Sequence, residues 1–428
     1  MSEIERIVAR EVWDSRGRPT VEAEVILKSG AMGRAIAPSG ASTGRREALD
    51  KRDGGTRLGG HGVNQALAAI RDEIAPALLG KEGRDLARID RRMIDLDGTP
   101  QKSRLGGNAI VAVSLAAAWA GAADASQPLW AFLRQMAGMP DRPHVPLPMI
   151  QIFGGGRHAV GSVDLQDFLV ICPGARSFAE AMEMTAEVYL AAGAIMRKRG
   201  KIAGIADEGG FWPAFASNEE AIETLAEAIE AAGYRAPHDV AIALDVAASS
   251  FVVPEGYRLA LEQRVVDRDE WIATLARWCR AYPIVSVEDP VHEDDDAGFV
   301  AVTAALGDRI QVVGDDYLAT SAARISEAGA LGAGNTALLK VNQCGTVTEL
   351  IAAAAAARKV GWRTVQSGRS GESEDISLAH LAVGLLSDQI KVGSMARSER
   401  TAKWNEVLRI EEQMPAGALR AYALPGTT

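Results

Sequence analysis

The chain has 428 residues, 47% of them hydrophobic and 24% charged, which is the balance of a globular protein long enough for two domains or a large barrel with an added domain. Its formal net charge of −10 excludes a general binder of nucleic acid or acidic membrane, because phosphate backbones demand a basic surface. Met1–Ser15 is charged and lacks an apolar h-region, no stretch approaches the apolar length of a membrane span, and the three cysteines, Cys172, Cys279 and Cys344, show no CxxC spacing, so reduced thiols in a cytoplasmic protein are expected.

Ile4–Val12, Thr20–Leu27 and Met32–Ala37 alternate apolar and polar residues between Gly-containing turns and predict three strands. Helical patterns follow at Val63–Leu79 and Asn108–Ala123. Together they predict an N-terminal α+β domain over residues 1–140. The Pro-rich stretch Pro140–Pro148 reads as a linker. Over 141–428, short β-rich runs recur at Val240–Val246, Ile284–Glu288, Ile310–Gly314, Ala337–Val341 and Arg363–Ser367. Helices such as Phe178–Arg197 and Trp271–Ala281 lie between them, and Ser177 with Glu180 suits a capping box at the first. Recurring strand–helix units predict a parallel sheet, and about eight of them a closed (β/α)8 barrel, so the fold class is α/β. The Ala-rich run Ile351–Ala357 reads as a helix.

Three acids end successive apolar runs: Asp245 in ALD, Glu288 in VSVE and Asp315 in VVGD. Barrel strands converge at their C-terminal ends, where three carboxylates repel one another unless a cation joins them, and oxygen ligands suit Mg²⁺. Taken singly, each acid reads better as a cap on the turn that follows. Lys340 ends the next run, ALLK; burial near cations is expected to lower its pKa and prepare a general base. Glu208 lies in a Gly-rich loop, Asp207–Phe211 (DEGGF), close enough to substrate for an acid, although acid–Gly–Gly is also ordinary turn chemistry. Pro38–Gly44 (PSGASTG) is a small loop able to close over a barrel mouth. Arg369, Ser370 and Lys391 follow later strands and suit a phosphate or carboxylate.

These residues resemble enolase (phosphopyruvate hydratase) along nearly the whole chain. DSRGRPT (14–20), PSGASTG and MIDLDGT (93–99) look like its N-terminal signatures, and DEGGF, ALDVAAS, VEDP, GDD, LLKVNQ, RSGESED, QIKVGS and RSER like those of its barrel. The resemblance implies an enolase-type barrel with an N-terminal α+β capping domain, in homodimers or larger homo-oligomers. It implies a tight Mg²⁺ on Asp245, Glu288 and Asp315, and a second that arrives with substrate and takes Ser42. It makes Lys340 the base and Glu208 the acid, a lysine base beside Mg²⁺ being the arrangement known for the enolase superfamily. Gln166, Arg369, Ser370, Lys391 and His158 are expected to contact a small phosphorylated carboxylic acid, with neither nucleic acid nor membrane as partner.

Several departures fall inside the expected site. Where enolases carry Ser-His-Arg-Ser-Gly, this chain has Gly368 in place of the histidine; Gln-Glu-Phe becomes Gln166-Asp167-Phe168, one methylene shorter; and the loop before His158 gains Arg157. Arg18 replaces an asparagine. Space at Gly368 and a cation at Arg157 suit a larger phosphoryl end. They lead to the expectation of an enolase-like branch, resembling carboxyphosphonoenolpyruvate synthase of phosphonate antibiotic biosynthesis, that takes a cytidylyl phosphonoformate. The alternatives are an ordinary enolase, converting 2-phosphoglycerate to phosphoenolpyruvate and water, and an inactive enolase-like scaffold. Either catalytic reading makes the protein a lyase-type enzyme.

Overall fold

The alternation read along the first residues builds three antiparallel strands: β1 (Ile4–Trp13), β2 (Pro19–Leu27) and β3 (Met32–Ile36), with β2 in the centre and most buried. The structure, a computed structural model, describes residues 2–41, 44–139 and 142–422. Helix Gly107–Asp124 packs on β2 and β3. It comes so close to β3 that a Cβ on Gly33 would sit 2.1 Å from the Ala116 carbonyl oxygen, so only glycine admits the contact. This helix corrects the expectation about spans: its 18 residues are apolar enough for one. Yet 83% of that window is buried inside the protein, which is why it is apolar on every side. The predicted helix 63–79 is a continuous run, Asn64–Ala69, Ile70–Ile74 and Ala75–Leu78, with one π turn in its middle.

The barrel starts at β4 (Leu147–Gly154), so Leu147 and Pro148 of the proposed linker belong to a strand. Pro140 and Asp141 lie outside the described residues. Next come β5 (Asp167–Ile171), a hairpin of β6 (Ile202–Ile205) and β7 (Phe211–Pro213), β8 (Ala241–Asp245), and a small sheet of β9 (Val252–Val253), β10 (Gly256–Leu259) and β11 (Arg264–Val266). Then follow β12 (Ile284–Glu288), β13 (Gln311–Gly314), β14 (Thr336–Leu339), β15 (Arg363–Ser367) and β16 (Gln389–Gly393). The strands β4-β5-β8-β12-β13-β14-β15-β16 close on themselves through the pairing of β16 with β4.

A wholly parallel sheet was expected, and here the barrel differs: β5 runs antiparallel to both β4 and β8, while the other six pairs are parallel. The loop 155–166 joins β4 to β5 with one 3-10 turn, Gly156–His158, and no α-helix, so the chain turns straight back. Two helices, Phe178–Arg199 and Asn218–Ala231, then precede β8, and from β12 onward the barrel strands alternate with helices. Ser177 caps the first by accepting from Glu180 N at 3.0 Å. The reciprocal half of the box goes elsewhere, because the Glu180 carboxylate takes the Arg176 amide and guanidinium.

Candidate active site

Register brings the predicted acids together. Asp167 pairs with Asp245 across β5 and β8, and Asp245 with Glu288 across β8 and β12. Because β5 is reversed, its first residue joins the C-terminal ends of its neighbours on one face. Asp315 follows β13, Lys340 follows β14, and Lys391 pairs with Ser367 across β16 and β15. Glu208 sits at the tip of the β6–β7 hairpin. A cavity at this face is lined by Ala41, His158, Gln166, Asp167, Glu208, Asp245, Lys340, Gly368, Arg369, Ser370 and Lys391, among others.

On one side stands a chain of three groups, Asp167–His158–Glu208. Asp167 Oδ1 lies 2.9 Å from His158 Nδ1 and accepts from Gln151 Nε2 at 2.5 Å. His158 Nε2 is 3.7 Å from Glu208 Oε1. Burial disfavours the imidazolium, but the carboxylates of Asp167 and Glu208 outweigh it and hold the His158 pKa up at about 9. Burial likewise opposes the Asp167 carboxylate, and the charges on His158 and Lys391 bring it down to about 2. The shorter aspartate therefore still reaches its histidine.

On the other side, two lysines sit among the expected metal ligands. Lys391 Nζ donates to Asp245 Oδ2 and Glu288 Oε2, each at 2.7 Å. Lys340 Nζ donates to Asp315 Oδ2 at 2.5 Å. Asp315 opposes the lowering expected for Lys340. Burial does push its pKa down, but the Asp315 charge more than compensates and leaves it raised. Burial and the neighbouring Asp245 push Glu288 well above the carboxylate range. Asp245, Glu288 and Asp315 do not form the tightest acid cluster; Asp289, Asp315 and Asp316 do, with oxygens within 4.8 Å of one another.

The residues nevertheless fit a hard divalent cation. The donors are all oxygens, three carboxylates are buried on successive strands, and Glu288 Oε1 is buried with no hydrogen-bond partner among the described residues. Gln166 Nε2 donates to Asp245 Oδ2 at 3.1 Å, while its own Oε1 is buried without a partner among the described residues.

The N-terminal segment closes the site from above. Ser39 and Gly371 exchange backbone hydrogen bonds of 2.9 Å, and Ala41 N donates to Ser370 Oγ at 2.7 Å. Arg369 is buried against Glu47, Nη1 to Oε2 at 2.8 Å. Ser42 lies outside the described residues. Arg157 is exposed and is absent from the cavity lining. Gly368 does line the cavity, but the expected space beside it is taken: a Cβ there would meet Glu372 Oε1 at 3.1 Å and Leu378 Cδ2 at 3.2 Å.

Sequence reading missed three supporting side chains. Gln151 donates to Asp167 and accepts from Gly210 N at 2.9 Å; a glutamine inside the apolar strand LPMIQIFG was its signal. Asp289 accepts from the amides of Asp315 and Asp316, both at 2.8 Å, from a backbone with φ of 41°. Nothing in VEDP distinguishes it from a helix cap. Glu47 could not be found from its own surroundings, because its partner is over three hundred residues away, at |i−j| = 322.

The family model for the enolase C-terminal TIM barrel domain matches residues 143–423. The model for the enolase N-terminal domain matches residues 4–133. Enolase 1 of Desulfitobacterium hafniense (strain Y51) is 47% identical over 418 residues, covering 97% of this chain and 95% of that protein.

Proposed function

Since the chain belongs to the enolase family, we propose that it catalyses the reversible dehydration of 2-phosphoglycerate to phosphoenolpyruvate, as a Mg²⁺-dependent lyase. The observation that carries this reading is the placement of Lys340 and of the Asp167–His158–Glu208 chain around one cavity. Lys340 takes the proton from the carbon next to the carboxylate. Glu208, held by the charged His158, gives a proton to the departing hydroxyl. Arg369, Ser370, Gln166 and Lys391 orient the acid and phosphate groups. Asp245, Glu288 and Asp315 would hold Mg²⁺, with Ser42 completing a second site when substrate is present. When bound, Mg²⁺ would neutralise the carboxylate charge that grows as the proton leaves. A cation bound by Asp315 would also weaken that carboxylate's hold on the Lys340 ammonium, which favours the neutral base.

The phosphonoformyl reading rested on room at Gly368 and a cation at Arg157. Glu372 and Leu378 lie close beside the first, Arg157 is exposed, and the relative named above is an enolase, so ordinary dehydration is the better supported reaction. We also assign the chain to two parts, 1–140 and 141–428, to a homo-oligomer, and to the cytoplasm, following the family resemblance and the thiols. Purified protein with Mg²⁺ and 2-phosphoglycerate should form phosphoenolpyruvate, followed by its ultraviolet absorbance. Lys340→Ala should lower kcat on the order of 10²–10⁴-fold, the usual worth of a general base, while calorimetric Mg²⁺ binding persists. No turnover by wild-type protein that binds Mg²⁺ would sink this reading.

A further inference from the structure

Opposite the candidate active site, at the end where β15 and β16 begin, lies a pocket of about 1130 Å³. Four arginines line it, Arg142, Arg358, Arg363 and Arg420, against one carboxylate among the described residues, Asp388. In a chain of net charge −10 this is a local reversal of sign. Asp388 is already engaged, its Oδ1 by Arg420 Nε at 2.9 Å and its Oδ2 by Thr364 N at 3.0 Å. It makes no hydrogen bond or ion pair with Arg142 or Arg363 among the described residues.

Two of the guanidiniums keep their hydrogen-bonding capacity. Arg142 is exposed and makes no hydrogen bond or ion pair among the described residues. Arg363 lies over the Tyr422 ring, 5.7 Å from its centroid, and its guanidinium makes no hydrogen bond among the described residues. Arg358 is engaged at Leu385 O, at 3.3 Å, near the end of helix Val347–Lys359. Trp362 adds a half-buried ring to the wall. Like charges crowded round one concavity repel, and an anion held by Arg142 and Arg363 lowers that repulsion. Planar guanidinium forks match phosphate oxygens in pairs, and the volume exceeds what one phosphate needs.

We propose that this pocket binds a small polyanion bearing a diphosphate group. Isothermal titration of the intact protein in EDTA, with pyrophosphate, ADP and adenosine in turn, tests it. Pyrophosphate and ADP should bind and adenosine should not. Arg142→Gln with Arg363→Gln should weaken binding at least tenfold, and Lys340→Ala should leave it unchanged. ADP binding tighter than pyrophosphate identifies a nucleotide using the Trp362 wall; equal affinity identifies the phosphates alone. The proposal is overturned by absence of binding at millimolar ligand, by binding indifferent to the arginine substitutions, or by binding lost in Lys340→Ala. Should the double variant fold poorly, Arg142→Gln alone carries the test, because Arg142 supports no described contact, and a threefold or larger loss is then expected.

Discussion

His158 stands between two carboxylates, so its protonation ties stability to pH. Its pKa, raised from 6.5 to about 9, gives a contribution fully present below 6.5 and lost as pH climbs through about 9. Asp167, lowered from 3.8 to about 2, contributes above 3.8 and loses it as pH falls through about 2. The stability gap between wild type and His158→Asn, from urea denaturation, should therefore be flat between pH 3.8 and 6.5 and shrink on both sides. Gly368 supports a prediction of opposite kind. With Glu372 and Leu378 already at 3.1 and 3.2 Å from a Cβ, Gly368→His should overpack and cost ~1–3 kcal/mol, seen as a lower urea midpoint at unchanged slope. A gain in dehydration rate without that cost would mean the space exists after all. At this scale the sequence was informative wherever an acid or lysine ended an apolar run, as at Asp245, Glu288 and Lys340. It was silent on who holds them, because Asp289 and Glu47 act through partners brought near only by folding.

Among the elements, helix Val347–Lys359 shows how one piece can depend on another far along the chain. Its first three amides are satisfied by Ser114 Oγ, Asp90 Oδ2 and its own Thr346 Oγ1, at 3.0, 3.0 and 3.2 Å. Thr348 Oγ1 also donates to Asp90 Oδ2 at 2.9 Å. The two borrowed caps come from helices Leu86–Asp97 and Gly107–Asp124 of the N-terminal part. Asp90 is fully buried, and that burial raises its pKa from 3.8 to about 6 against the hydrogen bonds it accepts. The unfolded chain ionises first, so Asp90 withdraws stability as pH rises from 3.8 through about 6. The loss is ~3 kcal/mol, at about 1.4 kcal/mol per pH unit. Asp90→Asn keeps a carbonyl to accept from Thr348 and removes the charge. Relative to wild type it should gain about that much stability between pH 4 and pH 7, measured by urea denaturation at both. No gain would mean that the carboxylate is compensated by groups beyond Ser114 and Thr348. The strands themselves were legible, with Ile284–Glu288 and Arg363–Ser367 read at their observed bounds. Direction was not: Phe168–Ile171 is buried on both faces, and a continuous apolar run carries no sign of whether it runs with its neighbours or against them.

Across the whole molecule, the site exists only because the small sheet's loops rest on the barrel. The order of motifs led to the expectation of two parts, while contacts between distant segments had to await the fold, since no local pattern marks residues that meet across hundreds of positions. The Glu47–Arg369 pair is the sharpest case. Glu47 is 2% exposed and Arg369 4%, and the pair joins the N-terminal segment to the turn after β15. Glu47 Oε1 also accepts from Gly44 N at 2.8 Å, so the same carboxylate steadies the loop that precedes it. Removing one member leaves a buried guanidinium without its carboxylate, and such losses cost ~3–5 kcal/mol. Glu47→Gln keeps most of the volume and one acceptor, so the cost there is electrostatic and should lie at the lower end. Because the guanidinium faces the candidate substrate cavity, the loss has two readouts. Urea denaturation should show reduced stability, and 2-phosphoglycerate should bind more weakly, since Arg369 loses its carboxylate anchor and keeps Asn342 Oδ1 at 3.2 Å. A stability loss with unchanged KM would make the pair a pure clamp between the two parts. The combined Glu47→Gln, Arg369→Met change separates these roles. If the penalty comes from the stranded charge, the double variant recovers stability relative to Glu47→Gln while KM stays high, because the clamp can be replaced by packing and the anion contact cannot.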